Sequence, residues 1–107
     1  MVEIVWTIEA LTWLREIFDH VALENSTAAA RVIDGITSRT EQLKTFPDSG
    51  ALIAIPRHPV LRMVLYGHYR IVYRRGGDEK IEIIGVYHGA LDIARHLSRR
   101  EPGSVNE

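Results

Sequence analysis

The chain has 107 residues, of which 46% are hydrophobic and 25% are charged, and it contains no cysteine. This length and composition are typical of one globular domain with a single compact core. The lack of cysteine excludes disulfides, thiolate metal sites and cysteine nucleophiles, and a formal net charge of -1 argues against strong non-specific binding to nucleic acid.

Signals for membranes, metals and cofactors are absent from the sequence. No apolar run approaches the roughly 20 residues that a membrane span needs, and residues 1–6 lack a basic leader region. The five histidines form no pair at metal-ligand spacing, and Gly76-Gly77 has the character of a turn rather than of a phosphate-binding loop. We therefore expect a soluble, cytoplasmic protein without metal or cofactor.

The first half of the chain predicts a strand followed by two amphipathic helices. After a strand near residues 2–6, Thr7 is a suitable N-cap, and the first helix carries one apolar stripe with Trp13 to its side: Leu11, Leu14, Phe18 and Val21. Ser26 is the expected cap of the second helix, which runs to about Lys44 with its own stripe: Ala29, Val32, Ile33, Ile36 and Leu43. The short link between them predicts an antiparallel helical hairpin on a sheet, with a groove beside the exposed alanines.

A long loop is predicted between the second helix and the next strand. Residues 46–50 have turn chemistry, and Pro56 and Pro59 disfavour a helix over residues 51–60. A loop of about a dozen residues in a small domain is more often functional than not. Arg57 and His58 lie in it.

Three strands in an antiparallel meander are predicted next. They cover residues 61–66, 69–74 and 81–88, with turns at Gly67-His68 and at residues 75–78. Strand alternation places Tyr69, Ile71 and Tyr73 on one face, and Ile84, Val86 and His88 together on one face of the next strand, but it does not settle which face is the core. A short helix from Leu91 to Arg100 and a disordered tail over residues 101–107 follow, so the domain is expected to span residues 1–100.

The charge is unevenly distributed. Residues 57–75 contain five arginines and two histidines without an acid, whereas residues 1–26 contain five acids and a single arginine. The basic residues either balance the acidic helices as solvated strand residues or contact a target.

The last hairpin resembles a known family. The run Tyr69-Arg70-Ile71-Val72-Tyr73-Arg74, then Ile81-x-Ile83, then Val86-Tyr87-His88-Gly89-Ala90-x-Asp92, is similar to the closing hairpin of the RelE/ParE toxins of bacterial type II toxin–antitoxin pairs. The resemblance implies an α+β fold in the order β-α-α-β-β-β with a short C-terminal helix. In that fold the helical hairpin packs on a small, largely antiparallel sheet.

The His88-Gly89-Ala90-x-Asp92 ending is closest to the ParE branch, whose members inhibit DNA gyrase. The resemblance therefore implies a plasmid-stabilisation toxin neutralised by a cognate antitoxin, which binds by helix-in-groove or strand addition. We assign antitoxin binding to Trp13, Leu14 and Phe18. We assign target binding to the basic hairpin and its flanks, namely Arg57, His58, Arg74, His88, Asp92 and Arg95.

Two alternatives stay open. The first is a RelE-like, ribosome-dependent and metal-independent mRNA endonuclease, in which His88 acts as acid or base while Arg70 and Arg62 hold the phosphate. It requires His88 and Arg70 to lie close together on one accessible face, and it is disfavoured by Gly89, which stands where that branch has a catalytic tyrosine. The second is a non-toxic antitoxin-binding module, because Leu91 stands where the ParE branch usually has arginine.

Overall fold

The computed structural model of the protein describes residues 2–57, 59–77, 79–89 and 93–98. Its elements in chain order are β1 (Glu3–Trp6), α1 (Ile8–Ala22), α2 (Ser26–Glu41), a 3-10 turn (Gln42–Lys44), β2 (Ala51–Ile53), β3 (Leu61–Tyr66), β4 (Tyr69–Arg75), β5 (Lys80–His88) and α3 (Ile93–Ser98). The α+β class and the predicted order of elements are confirmed. His58, Leu91, Asp92 and the predicted tail lie outside the described residues.

One strand was not predicted from the sequence. The segment predicted as a loop after Gly50 contains β2, which pairs antiparallel with β3 through Ala51↔Met63 and Ile53↔Leu61. The strand has only three residues and two prolines follow it closely, so its own alternation is too short to indicate a strand. Its conformation is set by pairing with β3, which is a tertiary contact.

The five strands form one sheet in the order β1-β5-β4-β3-β2. β1 pairs parallel with the first half of β5, from Glu3↔Lys80 to Trp6↔Ile83, and the other pairs are antiparallel. The β4–β5 register shifts at Val72/Tyr73, where β5 carries an extra residue. This shift makes one prediction wrong, because Ile84 does not share a face with Val86 and His88.

Both helices of the hairpin start at side-chain caps. The Thr7 hydroxyl accepts a hydrogen bond from the Ala10 amide (3.1 Å), as predicted for α1. The cap of α2 is Asn25 rather than the predicted Ser26, since the Asn25 carboxamide oxygen accepts from the Ala28 amide (3.0 Å). Asparagine and serine can both accept a hydrogen bond from an otherwise unpaired amide of the first turn. Here Asn25 is the cap, and the helix begins at Ser26.

The main core lies between the helical hairpin and the sheet face that we call the hairpin face. Residues of both layers are fully buried there: Ala10, Ile36, Leu43, Ile71, Tyr73, Ile81, Ile83 and Val86. α2 approaches β3 closely at Gly35, where a Cβ atom would overlap the Tyr66 ring. A glycine that weakens the helix is therefore required by the packing of that helix on the sheet.

A second apolar cluster covers the opposite side of the sheet, which we call the α3 face. Ile93 and Leu97 of α3 pack with Ile55, Leu61, Val72 and Tyr87, all of them buried. Each face of the sheet thus has its own core, and this explains why strand alternation alone did not identify a single buried face.

Candidate functional site

The residues predicted for RNA cleavage are separated by the sheet. Arg70 lies opposite Tyr87 in the β4–β5 register, and His88 lies opposite Tyr69. Directly opposed residues share a face, so Arg70 projects on the α3 face and His88 on the hairpin face. The requirement that His88 and Arg70 lie together on one accessible face is therefore not met.

Arg62 stabilises the loop that precedes β2. Its Nη1 donates to the carbonyl oxygens of Asp48 (3.0 Å) and Gly50 (2.9 Å). The Tyr73 hydroxyl fixes the same loop, donating to the Pro47 carbonyl (2.9 Å) and accepting from the Gly50 amide (2.9 Å). Arg62 is paired with Tyr73 of β4, whereas His88 is paired with Tyr69 of the same strand. The two partners are four residues apart on β4, so Arg62 and His88 are about 13 Å apart along the strand direction.

Arg70 and the neighbours of His88 fix the chain where β5 ends. Arg70 Nη2 donates to the Gly89 carbonyl (2.7 Å), and the Gly89 amide donates to the His68 carbonyl (2.8 Å). The His88 ring lies 6.2 Å from the His68 ring and 6.0 Å from the Tyr69 ring, measured between centroids. The exit from β5 toward α3 is thus held from two sides.

Those of the predicted target-binding residues that the structure describes do not form one patch. Arg74 lies on the α3 face, where its Nε donates to Glu82 Oε1 (2.6 Å). It is five residues along β4 from Tyr69, the residue paired with His88, which corresponds to about 17 Å. Arg57 belongs to the loop that joins β2 to β3 and has a positive φ of 69°. That loop lies at the Arg74 end of the sheet, while His88 lies at the other end and Arg95 is exposed on α3. His58 and Asp92 are outside the described residues.

An exposed apolar groove lies between α1 and α2. It has a volume of about 310 Å³ and is lined by Leu11, Leu14, Phe18 and Ile33, with Arg15 and Asp19 at its rim. Leu11 is 49% exposed and Phe18 is 38% exposed, although both are large apolar residues. Arg15 and Asp19 approach each other to 3.9 Å in the open, which contributes little to stability but gives the rim both charges. Such a groove suits the apolar face of an amphipathic helix.

Trp13, which was assigned to antitoxin binding, is half-buried and packs against other parts of the chain. Its ring meets the Tyr87 ring edge-on at 4.8 Å and the His96 ring at 5.8 Å, so it joins α1 to the cluster beneath α3. β1 pairs with β5 only as far as Ile83, so the second half of β5 has no β1 neighbour on that side. α1 can therefore contact that half of β5. Of the three residues assigned to antitoxin binding, Leu14 and Phe18 lie in the groove and Trp13 does not.

Comparison with known proteins gives the family. The sequence model of the ParE toxin of the type II toxin–antitoxin system parDE matches residues 4–93. That range contains all but the first residue of β1, the whole of β2 to β5, both long helices and the groove. The chain belongs to the ParE toxin family.

A solved structure is similar to this ParE-family chain. It is described as the chromosomal ParDE TA system from P. aeruginosa, with a TM-score of 0.68 and 22% sequence identity over 82% of this chain and 96% of that one. At this identity the similarity confirms the fold. Nine chains of solved structures match in all, and no curated protein sequence matches.

Two features of this ParE-family chain were not predicted as functional. Leu11 and Ile33 complete the groove, and the signal for Leu11 was that α1 carries more apolar residues than one buried stripe needs, since Leu11 and Phe18 lie together about 90° around the helix from the buried Ala10. The second feature is the exposed apolar surface at β2, whose signal was an uncharged run from Ser49 to Pro56. Within the described residues, no helix is long and apolar enough to cross a membrane.

Proposed function

We propose that this ParE-family chain is a toxin that inhibits DNA gyrase in the cytoplasm and is neutralised by a cognate antitoxin bound in the groove between α1 and α2. The groove is the observation that carries the antitoxin part. Leu11, Leu14, Phe18 and Ile33 form an apolar strip that the fold leaves open. The structure described as a ParDE toxin–antitoxin system, to which this fold is similar, supports a protein partner.

The occupant of the groove is an amphipathic helix of the antitoxin. Apolar residues at i, i+3 and i+7 of such a helix fill a groove between two helices, and its polar residues meet Arg15 and Asp19 at the rim. Burial of the exposed parts of Leu11 and Phe18 supplies the driving force, at roughly 25 cal/mol per Å² of apolar surface. A toxin gene paired in this way with an antitoxin gene stabilises the plasmid or chromosomal region that carries both.

Gyrase is favoured over RNA as the target. Family membership and the His88-Gly89-Ala90-x-Asp92 ending both support the ParE branch. A metal-independent nuclease needs its acid, base and phosphate-holding cations around one reacting phosphate. His88, Arg70 and Arg62 are divided between two faces and two ends of the sheet, so they do not meet this requirement.

The test is plasmid supercoiling by purified gyrase in the presence of the antitoxin-free protein. We expect loss of supercoiling and accumulation of cleaved DNA, both reversed when the antitoxin encoded beside the toxin gene is added. Full supercoiling at an excess of protein that binds this antitoxin normally would contradict gyrase as the target. It would favour a non-toxic binding module, or the ribosome if the protein cleaves translated mRNA.

A further inference from the structure

Arg15 is a single basic residue in an acidic segment. Residues 1–26 contain five acids, one arginine and no lysine, and three of the acids belong to α1 together with Arg15. The Arg15 Nε lies 3.9 Å from Asp19 Oδ2, and the two side chains are 82% and 65% exposed. An ion pair this open and this long adds little to stability. The fold of the chain alone therefore does not explain a cation at this position.

Arg15 interrupts a line of exposed apolar side chains along α1. We call this line the α1 seam, and it consists of Ile8, Leu11, Arg15 and Phe18. Its steps of three, four and three residues keep the four side chains on one face of the helix, with the spacing of a coiled-coil interface. The last three members also line the groove between α1 and α2. A partner helix laid along the seam thus meets one charge among apolar residues.

Burial of the seam includes burial of Arg15. At about 100° per residue, Arg15 lies around the axis of α1 between Ile8, which is 84% exposed, and Leu11. A helix that covers these apolar side chains also removes water from the guanidinium, and a desolvated charge is costly unless it is paired. The carboxylate of Asp19 is too far away for a hydrogen bond and stays largely in water. The pairing carboxylate therefore has to come from the partner.

We propose that Arg15 determines which antitoxin binds, by pairing with one aspartate or glutamate that lies within the apolar face of the antitoxin helix. This inference rests on the proposed function, because it concerns the occupant of the same groove. The acid is flanked, three or four residues to either side, by the apolar residues that contact Leu11 and Phe18. A single polar position in an apolar seam fixes the register of two helices. A helix with an apolar or basic residue in that place leaves Arg15 unpaired and is rejected.

The affinity of the antitoxin encoded beside the toxin gene tests this pairing, and surface plasmon resonance measures it. Arg15→Glu sets two carboxylates against each other, whereas Arg15→Met keeps an apolar stem and removes the charge. We expect the dissociation constant to rise by at least about a hundredfold with the first and about tenfold with the second. The matched control is Arg31→Glu, at an exposed arginine about 200° around α2 from Ile33 of the groove. This control should bind as the natural chain does.

Charge exchange identifies the partner carboxylate. The acidic residues of the antitoxin are replaced by lysine one at a time, and each variant is tested against the natural chain and against Arg15→Glu. We expect one replacement, at an acid with apolar neighbours at spacings of three or four, to weaken binding to the natural chain. The same replacement should restore binding to Arg15→Glu to within about tenfold of the natural pair.

Phe18→Glu separates a failure of this inference from a failure of the proposed function. If Phe18→Glu weakens binding but Arg15→Glu does not, the antitoxin occupies the groove without the pairing, and this inference alone is overturned. The same holds if none of the lysine replacements restores binding to Arg15→Glu. If Phe18→Glu and Arg15→Glu both bind as the natural chain does, the groove is not the antitoxin site, and the proposed function fails together with the inference.

Discussion

At the scale of single residues, Thr7 shows how one hydroxyl group joins three elements. Its Oγ1 accepts from the Ala10 amide (3.1 Å) and donates to the Ile83 carbonyl (2.8 Å). The first bond caps α1, and the second ties the end of β1 to β5. The residue that sequence analysis selected as a local helix cap is therefore also a long-range contact.

Removing this hydroxyl should be costly. Thr7→Ala loses a helix cap and a hydrogen bond to the neighbouring strand, so we expect a loss of about 1–2 kcal/mol in the free energy of unfolding. The control is Thr12→Ala, whose hydroxyl donates to Ile8 within the exposed helix (3.0 Å) and whose loss should cost no more than about 0.5 kcal/mol. Urea unfolding followed by circular dichroism measures both variants, and equal losses would contradict the contributions of both the helix cap and the bond to Ile83.

At the scale of elements, the contact between α2 and β3 depends on Gly35. In an open helix, glycine to alanine stabilises by up to about 1 kcal/mol. Here a Cβ atom would overlap the ring of Tyr66, which is only partly exposed and packs against the main core. The steric term therefore opposes the helix propensity and exceeds it.

We expect Gly35→Ala to destabilise the protein by roughly 1–3 kcal/mol, because α2 has to move away from the sheet or Tyr66 has to leave its position. In a Tyr66→Val background the overlap is removed, and the same substitution should become neutral or stabilising. Thermal and urea unfolding of the four proteins in this cycle measure the reversal. A Gly35→Ala variant that is more stable than the natural chain would contradict the close approach.

At the scale of the whole molecule, local patterns predicted most of the elements but not the arrangement of the candidate sites. Thr7, the helical stripes and the two tight turns are local signals, and α1, β3, β4 and β5 follow from them. β2 was missed because three residues beside two prolines become a strand only by pairing with β3. Elements that depend on tertiary pairing could therefore not be predicted from local sequence patterns.

The candidate site residues depended on the same tertiary information. The register shift at Val72/Tyr73 decides which residues of β5 oppose those of β4, and this register places Arg70 and His88 on different faces. Helical spacing found Leu14 and Phe18. Trp13 lies on the same helix but contacts Tyr87 instead of the groove. This contact is possible because β1 stops pairing with β5 at Ile83 and leaves the rest of β5 open to α1, which helical spacing cannot show.

The most direct test of the central claim is antitoxin rescue of gyrase inhibited by a groove variant. Phe18→Glu places a charge in the apolar groove, and the matched control is Phe46→Glu, at a phenylalanine that is 64% exposed outside the groove. We expect both variants to block supercoiling as the natural chain does. We expect the antitoxin to restore supercoiling with Phe46→Glu, but to need at least about tenfold more with Phe18→Glu. Gyrase that is unaffected by the natural chain, or rescue at equal antitoxin concentrations for both variants, would contradict the account.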